Sequence, residues 1–135
     1  MTTVTAAPET IIERWLALFD RRWPTADEVR AALTPDVRFV ERPNLINPKG
    51  SERDLEAMVA GSQAGPAVLA WQRYEPLGHV VAGDVIVTRM RWSGELAVDA
   101  GSWSAGTVLH AWCVAHYTLR NGRIAHIEQH DCYEQ

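Results

Sequence analysis

Lysine is nearly missing from this 135-residue chain: Lys49 is the only one, and the other members of its 13 basic residues are arginines scattered along the sequence. With a formal net charge of −4 and a sequence pI of about 5.7, the chain lacks the basic stripe that counterion release on nucleic acid requires, so no nucleic-acid partner is expected. Cysteine is equally sparse. Cys113 and Cys132 stand outside any C-x-x-C pair, which removes a zinc knuckle or a disulfide framework and fits a reducing, cytoplasmic setting. No apolar run approaches the ~18–20 residues that cross a bilayer, and the small, polar stretch from Met1 to Pro8 has no basic region, so no membrane segment or secretory leader is expected. There is no Gly-x-Ser-x-Gly elbow for a nucleophilic serine, and Gly61 to Gly65 lacks the lysine of a phosphate loop.

What is present suits one folded domain spanning residues 1–135. Hydrophobic residues make up 47% of the chain and charged ones 22%, a globular balance that can fill a single core but not two. Six tryptophans stand against two phenylalanines, so Trp15, Trp71, Trp92, Trp103 and Trp112 must supply much of the large buried surface.

The periodicity of apolar residues divides the chain into a helical first half and an extended second half. Pro8 and Glu9 suit a first helical turn, Ile12, Trp15, Leu16 and Phe19 form one stripe, and Arg21 and Arg22 close it before Trp23-Pro24. Thr25-x-x-Glu28 is a capping box opening a second helix through Val29, Ala32 and Leu33, which Thr34-Pro35-Asp36 ends. Val37 to Glu41 reads as a short strand running into a Pro/Asn loop, and Ser51 as the N-cap of a third helix carrying Leu55, Met58 and Val59. Four strands follow: Val68 to Tyr74 extending towards Val81, Val85 to Leu96, Val108 to Leu119, and Arg123 to Tyr133. Helices first and a meander second make an α+β architecture, with the helices on one face of a curved sheet.

This order of elements, with the closing Gly122-Arg123-Ile124 and His130-Asp131-Cys132-Tyr133, resembles the nuclear transport factor 2-like cone. In that fold three helices pack on a strongly curved, mostly antiparallel sheet. The closing residues are similar to those of the SnoaL-like branch, which includes polyketide cyclases, ketosteroid-isomerase-like enzymes, epoxide hydrolases and dehydratases. The resemblance implies a deep apolar pocket between helices and sheet. Aligned on Leu33-Thr34-Pro35-Asp36, Glu41 falls where ketosteroid isomerases carry their catalytic carboxylate, whereas their oxyanion donors fall at Trp15 and Ala115, neither a phenol nor an acid. The Asp-Arg-Asp, Asn and Tyr of limonene-type epoxide hydrolases would correspond to Gln129, Arg89, Arg91, Glu41 and Phe39, where only arginine is matched.

Strand alternation decides which residues can meet, and in the last hairpin it turns on the loop. A two-residue Asn121-Gly122 turn pairs Trp112 with Asp131 and Val114 with Gln129; a three-residue loop with a glycine bulge pairs Cys113 with Gln129 and Ala115 with Ile127. The bulged reading is favoured because it gathers Ala111, Cys113 and Ala115 with Ile127, Gln129 and Asp131 on one face, where small residues leave room for a ligand. Glu41 shares a face with Phe39, so a general base beside apolar rings competes there with a salt bridge to Arg89 or Arg91 or a solvated strand end. Asp131 is either a second acid/base group or a backbone cap. For Arg89 and Arg91 the two lines of reasoning diverge. Alternation with Ile86, Thr88, Met90 and Trp92 turns the arginines outward, while the resemblance turns them inward, where they could hold an oxyanion.

No metal or cofactor is expected. His110 and His116 are about 20 Å apart along one strand and His126 and His130 about 13 Å, leaving only His116 with His126 close across the bulged register. The expectation is a cofactor-independent enzyme moving a proton in a hydrophobic, oxygenated substrate such as a polyketide or terpenoid, by isomerisation, aldol cyclisation or dehydration. Glu41 and Asp131 are the catalytic candidates, and Trp15, Phe19, Phe39, Arg89, Arg91, Tyr117 and Gln129 the substrate-binding ones. An epoxide hydrolase and a non-catalytic binder of hydrophobic ligands are the alternatives. A homodimer through the outer sheet face, with Trp112 and His130 at the contact, is the expected assembly.

Overall fold

In the computed structural model, residues 6–134 are described; Met1 to Thr5, most of the polar N-terminal stretch, and Gln135 lie outside the described residues. Helix α1 (Pro8–Ala17) starts with its proline at the first turn and buries Ile12, Trp15 and Leu16. It stops earlier than its stripe suggests, because Arg21 has a positive φ of 57° and donates its backbone N–H to the Gln72 carbonyl at 2.7 Å. Arg21 and Arg22 therefore lie beyond the helix, one over the Trp71 ring and the other paired with Glu28. Helix α2 (Ala26–Ala32) has the expected capping box, with the Thr25 hydroxyl accepting from Glu28 and the Glu28 carboxylate accepting from Thr25.

Thr34-Pro35-Asp36 does not separate helix from strand. Strand β1 (Leu33–Glu41) begins directly after α2, and the irregular register between Leu33 and Arg38 absorbs the proline. Ser51 is likewise not a helix cap. It opens a three-residue strand β2 (Ser51–Arg53), and the N-cap of α3 (Leu55–Ala64) is Asp54, whose carboxylate accepts from Ala57 N at 2.9 Å. After a single 3₁₀ turn come the long strands β3 (Leu69–Ala82), β4 (Val85–Leu96), β5 (Val108–Arg120) and β6 (Arg123–Tyr133).

The six strands form one open sheet in the order β2-β1-β6-β5-β4-β3, antiparallel throughout except where β1 runs parallel to β6. Three helices on a mostly antiparallel sheet are the expected cone-like arrangement. The last hairpin combines the two readings of its loop. Asn121 and Gly122, both at positive φ, make a two-residue turn, and a bulge one step later shifts the pairing. Cys113 thus faces Asp131 and Ala115 faces Gln129, so the favoured face is inward while each partner is moved from the bulged reading. His116 faces Glu128 instead of His126, and its ring lies 6.1 Å from that of His130.

The inner sheet face carries the core. Ile86, Met90, Tyr117, Ile124 and Ile127 meet Ile12, Val29, Leu33 and Val37, all essentially solvent-free. Trp15 and Trp92 are core residues, whereas Trp112 is 53% exposed on the outer face. No helix among the described residues is long and apolar enough to cross a membrane.

Candidate functional site

A cavity of about 400 Å³ lies between α1, α3 and the inner sheet face. From β5, Cys113 and Tyr117 line it, with the small side chains of Ala111 and Ala115 on the same inward face. Trp15, Phe19, Trp23, Phe39 and Met58 provide apolar walls, with Trp15 and Phe19 in edge-to-face contact at 4.9 Å between centroids. The buried indole of Trp92 donates to Gln72 Oε1 at 3.0 Å, satisfying both polar groups where the wall would otherwise leave them unpaired.

Sheet pairing brings the acidic groups together. Glu41 lies opposite Gln129 across the parallel seam, and Asp131 is two residues farther along β6, so all three point to the same face. The main-chain N–H of Arg42 donates to the Gln129 carbonyl at 2.9 Å, which fixes the end of β1 against β6. Glu41 is then held by its own loop: the side-chain amides of Asn44 and Asn47 each donate to its Oε2 at 3.0 Å. No described residue donates to Oε1. The loop is closed by Asn44 Oδ1 accepting from the backbones of Ile46 and Asn47, and by Gly50, where a Cβ would lie 2.5 Å from the Glu41 carbonyl oxygen.

Asp131 accepts from Gln129 Nε2 at 2.9 Å and lies opposite Cys113 across the β5–β6 pair. Burial pushes its carboxyl above the ordinary value; the hydrogen bonds from Cys113 and Gln129 oppose that shift and the nearby Glu41 charge adds to it. Burial also raises the Cys113 thiol, reinforced by the Asp131 charge, so Cys113 is a protonated hydrogen-bond donor and not a nucleophile. The phenols of Tyr74, Tyr117 and Tyr133 line the same space, each held firmly protonated by burial. The Tyr117 hydroxyl is turned towards Met90 Sδ at 3.9 Å.

Of the residues singled out from sequence, Glu41, Asp131, Trp15, Phe19, Phe39, Tyr117 and Gln129 all line this cavity. Arg89 and Arg91 do not. Both lie on the outer face, Arg91 paired with Glu134 at 2.6 Å and stacked 4.2 Å over Trp112, while Arg89 borders a separate outer groove with Leu77 and His130. The cause is the unbroken inward set Ile86, Thr88, Met90 and Trp92, which leaves the arginines only the other side. Sequence reasoning missed Tyr74 and Tyr133, although each lies two residues from an inward-facing polar side chain, Gln72 and Asp131 respectively. Trp23, Arg53 and the Asn44/Asn47 clamp were also missed, since they depend on where loops and a three-residue strand fold back. Among the described residues no group of three or more His, Cys, Asp or Glu side chains is arranged to hold a metal ion.

The fold is widely shared. IdmH from Streptomyces antibioticus, a candidate polyketide cyclase, superposes with a TM-score of 0.75 at 19% identity over 93% of this chain and 92% of its own. AclR from Streptomyces galilaeus, a candidate hydroxylase, gives 0.73 at 13% identity over 95% and 80%. An NTF2-like protein of unknown function from Burkholderia pseudomallei gives 0.70 at 22% identity over 91% and 88%. No curated protein matches the chain's sequence. The family model of the SnoaL-like domain matches residues 12–127, nearly the whole of the described structure, and the chain therefore belongs to the SnoaL-like family with its nuclear transport factor 2-like fold.

Proposed function

We propose that the protein is a cofactor-independent enzyme that moves a proton beside a carbonyl in a hydrophobic, oxygenated substrate of polyketide or terpenoid type. The observation that carries this reading is the Glu41 carboxylate, clamped through Oε2 by two amides and left with Oε1 free at the wall of an aromatic cavity. A base fixed in this way meets the substrate in one orientation, which is what proton abstraction from carbon requires.

Glu41 Oε1 takes the proton from the carbon next to the carbonyl, the C–H electron pair moves into the enolate, and the charge collects on oxygen. The groups suited to receive that oxygen are the protonated phenols of Tyr74 and Tyr133 and the Asp131 carboxyl, whose burial favours its neutral, hydrogen-bond-donating form. Return of the proton to another carbon gives isomerisation, while attack of the enolate on a second carbonyl gives an alkoxide that takes the proton back from Glu41, completing aldol cyclisation. The candidate cyclase among the proteins of the same fold supports the second outcome.

The test uses a step common to both. Incubation with a bicyclic aryl ketone in heavy water, followed by NMR, reads exchange of the proton beside the carbonyl. The wild type should accelerate exchange, and Glu41→Gln should lower the catalysed rate about a hundredfold or more. Equal rates in the two proteins would overturn the proposal.

A further inference from the structure

We infer that the cavity selects substrates carrying a carboxylate or similar anion, bound by Arg53. The inference deepens the proton-transfer reading and rests on the same cavity. Arg53 is the one cationic side chain in the cavity lining among the described residues. The short strand β2 puts it there: Arg53 lies opposite Phe39, which faces inward, whereas Glu52 lies opposite Val40 and pairs outward with Arg38 at 3.8 Å.

Every acid beside Arg53 in sequence is committed elsewhere. Glu52 serves Arg38, Asp54 caps α3 through Ala57 N, and Glu56 holds Arg30 with two bonds of 2.7 and 2.9 Å. The guanidinium lies beside the bare backbone of α3 at Gly61, where an added Cβ would lie 3.2 Å from its Nη1. Gly61 thus leaves the space that the arginine occupies.

Across the β1–β2 ladder Glu41 is the diagonal neighbour of Arg53, since Glu41 lies opposite Ser51 and Phe39 opposite Arg53. Backbones so related are roughly 7–8 Å apart, so both residues border the same part of the cavity. A fused-ring ketone with an acidic group at its far end places its reacting carbon at Glu41 and its anion on the Arg53 fork, in the charge-assisted geometry guanidinium favours.

Two fluorescent probes that share a ring system and differ in charge test this. Anilinonaphthalene sulfonate carries the anion, and phenylnaphthylamine is its neutral counterpart. In fluorescence titrations the wild type should bind the sulfonate about tenfold more tightly than the neutral amine. Arg53→Met should remove that preference while leaving phenylnaphthylamine affinity unchanged, which also reports that the cavity is intact. A preference absent from the wild type, or kept by Arg53→Met, would overturn the inference. Turnover plays no part in this measurement, so its failure is distinct from the equal exchange rates that would overturn the role of Glu41.

Discussion

Along the inner face of β5, Cys113 and Tyr117 border the cavity, while Leu119 at the end of the same strand packs into the filled core. The filled end is apolar and solvent-free, with Ile86, Ile124 and Ile12 at its centre. The hollow end holds Glu41, Gln129, Asp131 and three phenols; Glu41 is bonded to two loop amides, and Gln129 and Asp131 to each other. One strand thus borders both the packed core and the cavity.

Mutations can break or sharpen this contrast. Ile86→Ala at the filled end should have the largest effect, a loss of about 2–5 kcal/mol in denaturant unfolding, because the surrounding residues cannot collapse onto the vacated space. A loss well below that would mean the filled end is looser than its burial implies.

Asp131→Asn should have an intermediate effect that depends on pH. A carboxyl whose folded-state proton affinity is raised binds more protons folded than unfolded, so it withdraws stability as pH rises from the ordinary carboxylate range through the raised value. Below that range Asp131 is protonated in both states and contributes nothing. The difference in Tm between Asp131→Asn and wild type should therefore grow in favour of the variant as pH rises, then level off. Thermal unfolding across the acidic range reads it, and a pH-independent difference would contradict the desolvated setting of Asp131.

Cys113→Ala should have the smallest effect, about 0.8 kcal/mol or less, roughly one methylene's worth of burial in a wall that already faces empty space. A cost equal to that of Ile86→Ala would erase the distinction between the two ends.

The sequence carries the element order clearly because the period of apolar residues changes sharply near Pro66, and the capping box at Thr25 is a local signal with a local outcome. It also carries the inward face of the last hairpin, since a single-sided core penalises the wrong one. Strand pairing within that face was not legible, because a one-residue bulge beside a type of turn that looks complete leaves no mark in composition. The Arg89/Arg91 pair teaches a different lesson. Simple alternation placed the arginines outward, as the structure does, whereas the family resemblance pulled them in. Arg53 stayed hidden since nothing in Ser-Glu-Arg-Asp announces a strand, and only pairing with β1 aims its side chain at the cavity.

The parallel seam between β1 and β6 has a consequence for how the molecule comes into being. Arg42 and Glu128, which clasp it, are 86 positions apart, whereas the β3–β4 and β5–β6 hairpins close through tight local turns. Loop-closure entropy makes the distant seam slow to form relative to the hairpins. Glu41 and Asp131 face a common space only where this long-range seam is formed. The paired catalytic candidates are in this sense a property of the closed sheet and of neither strand alone.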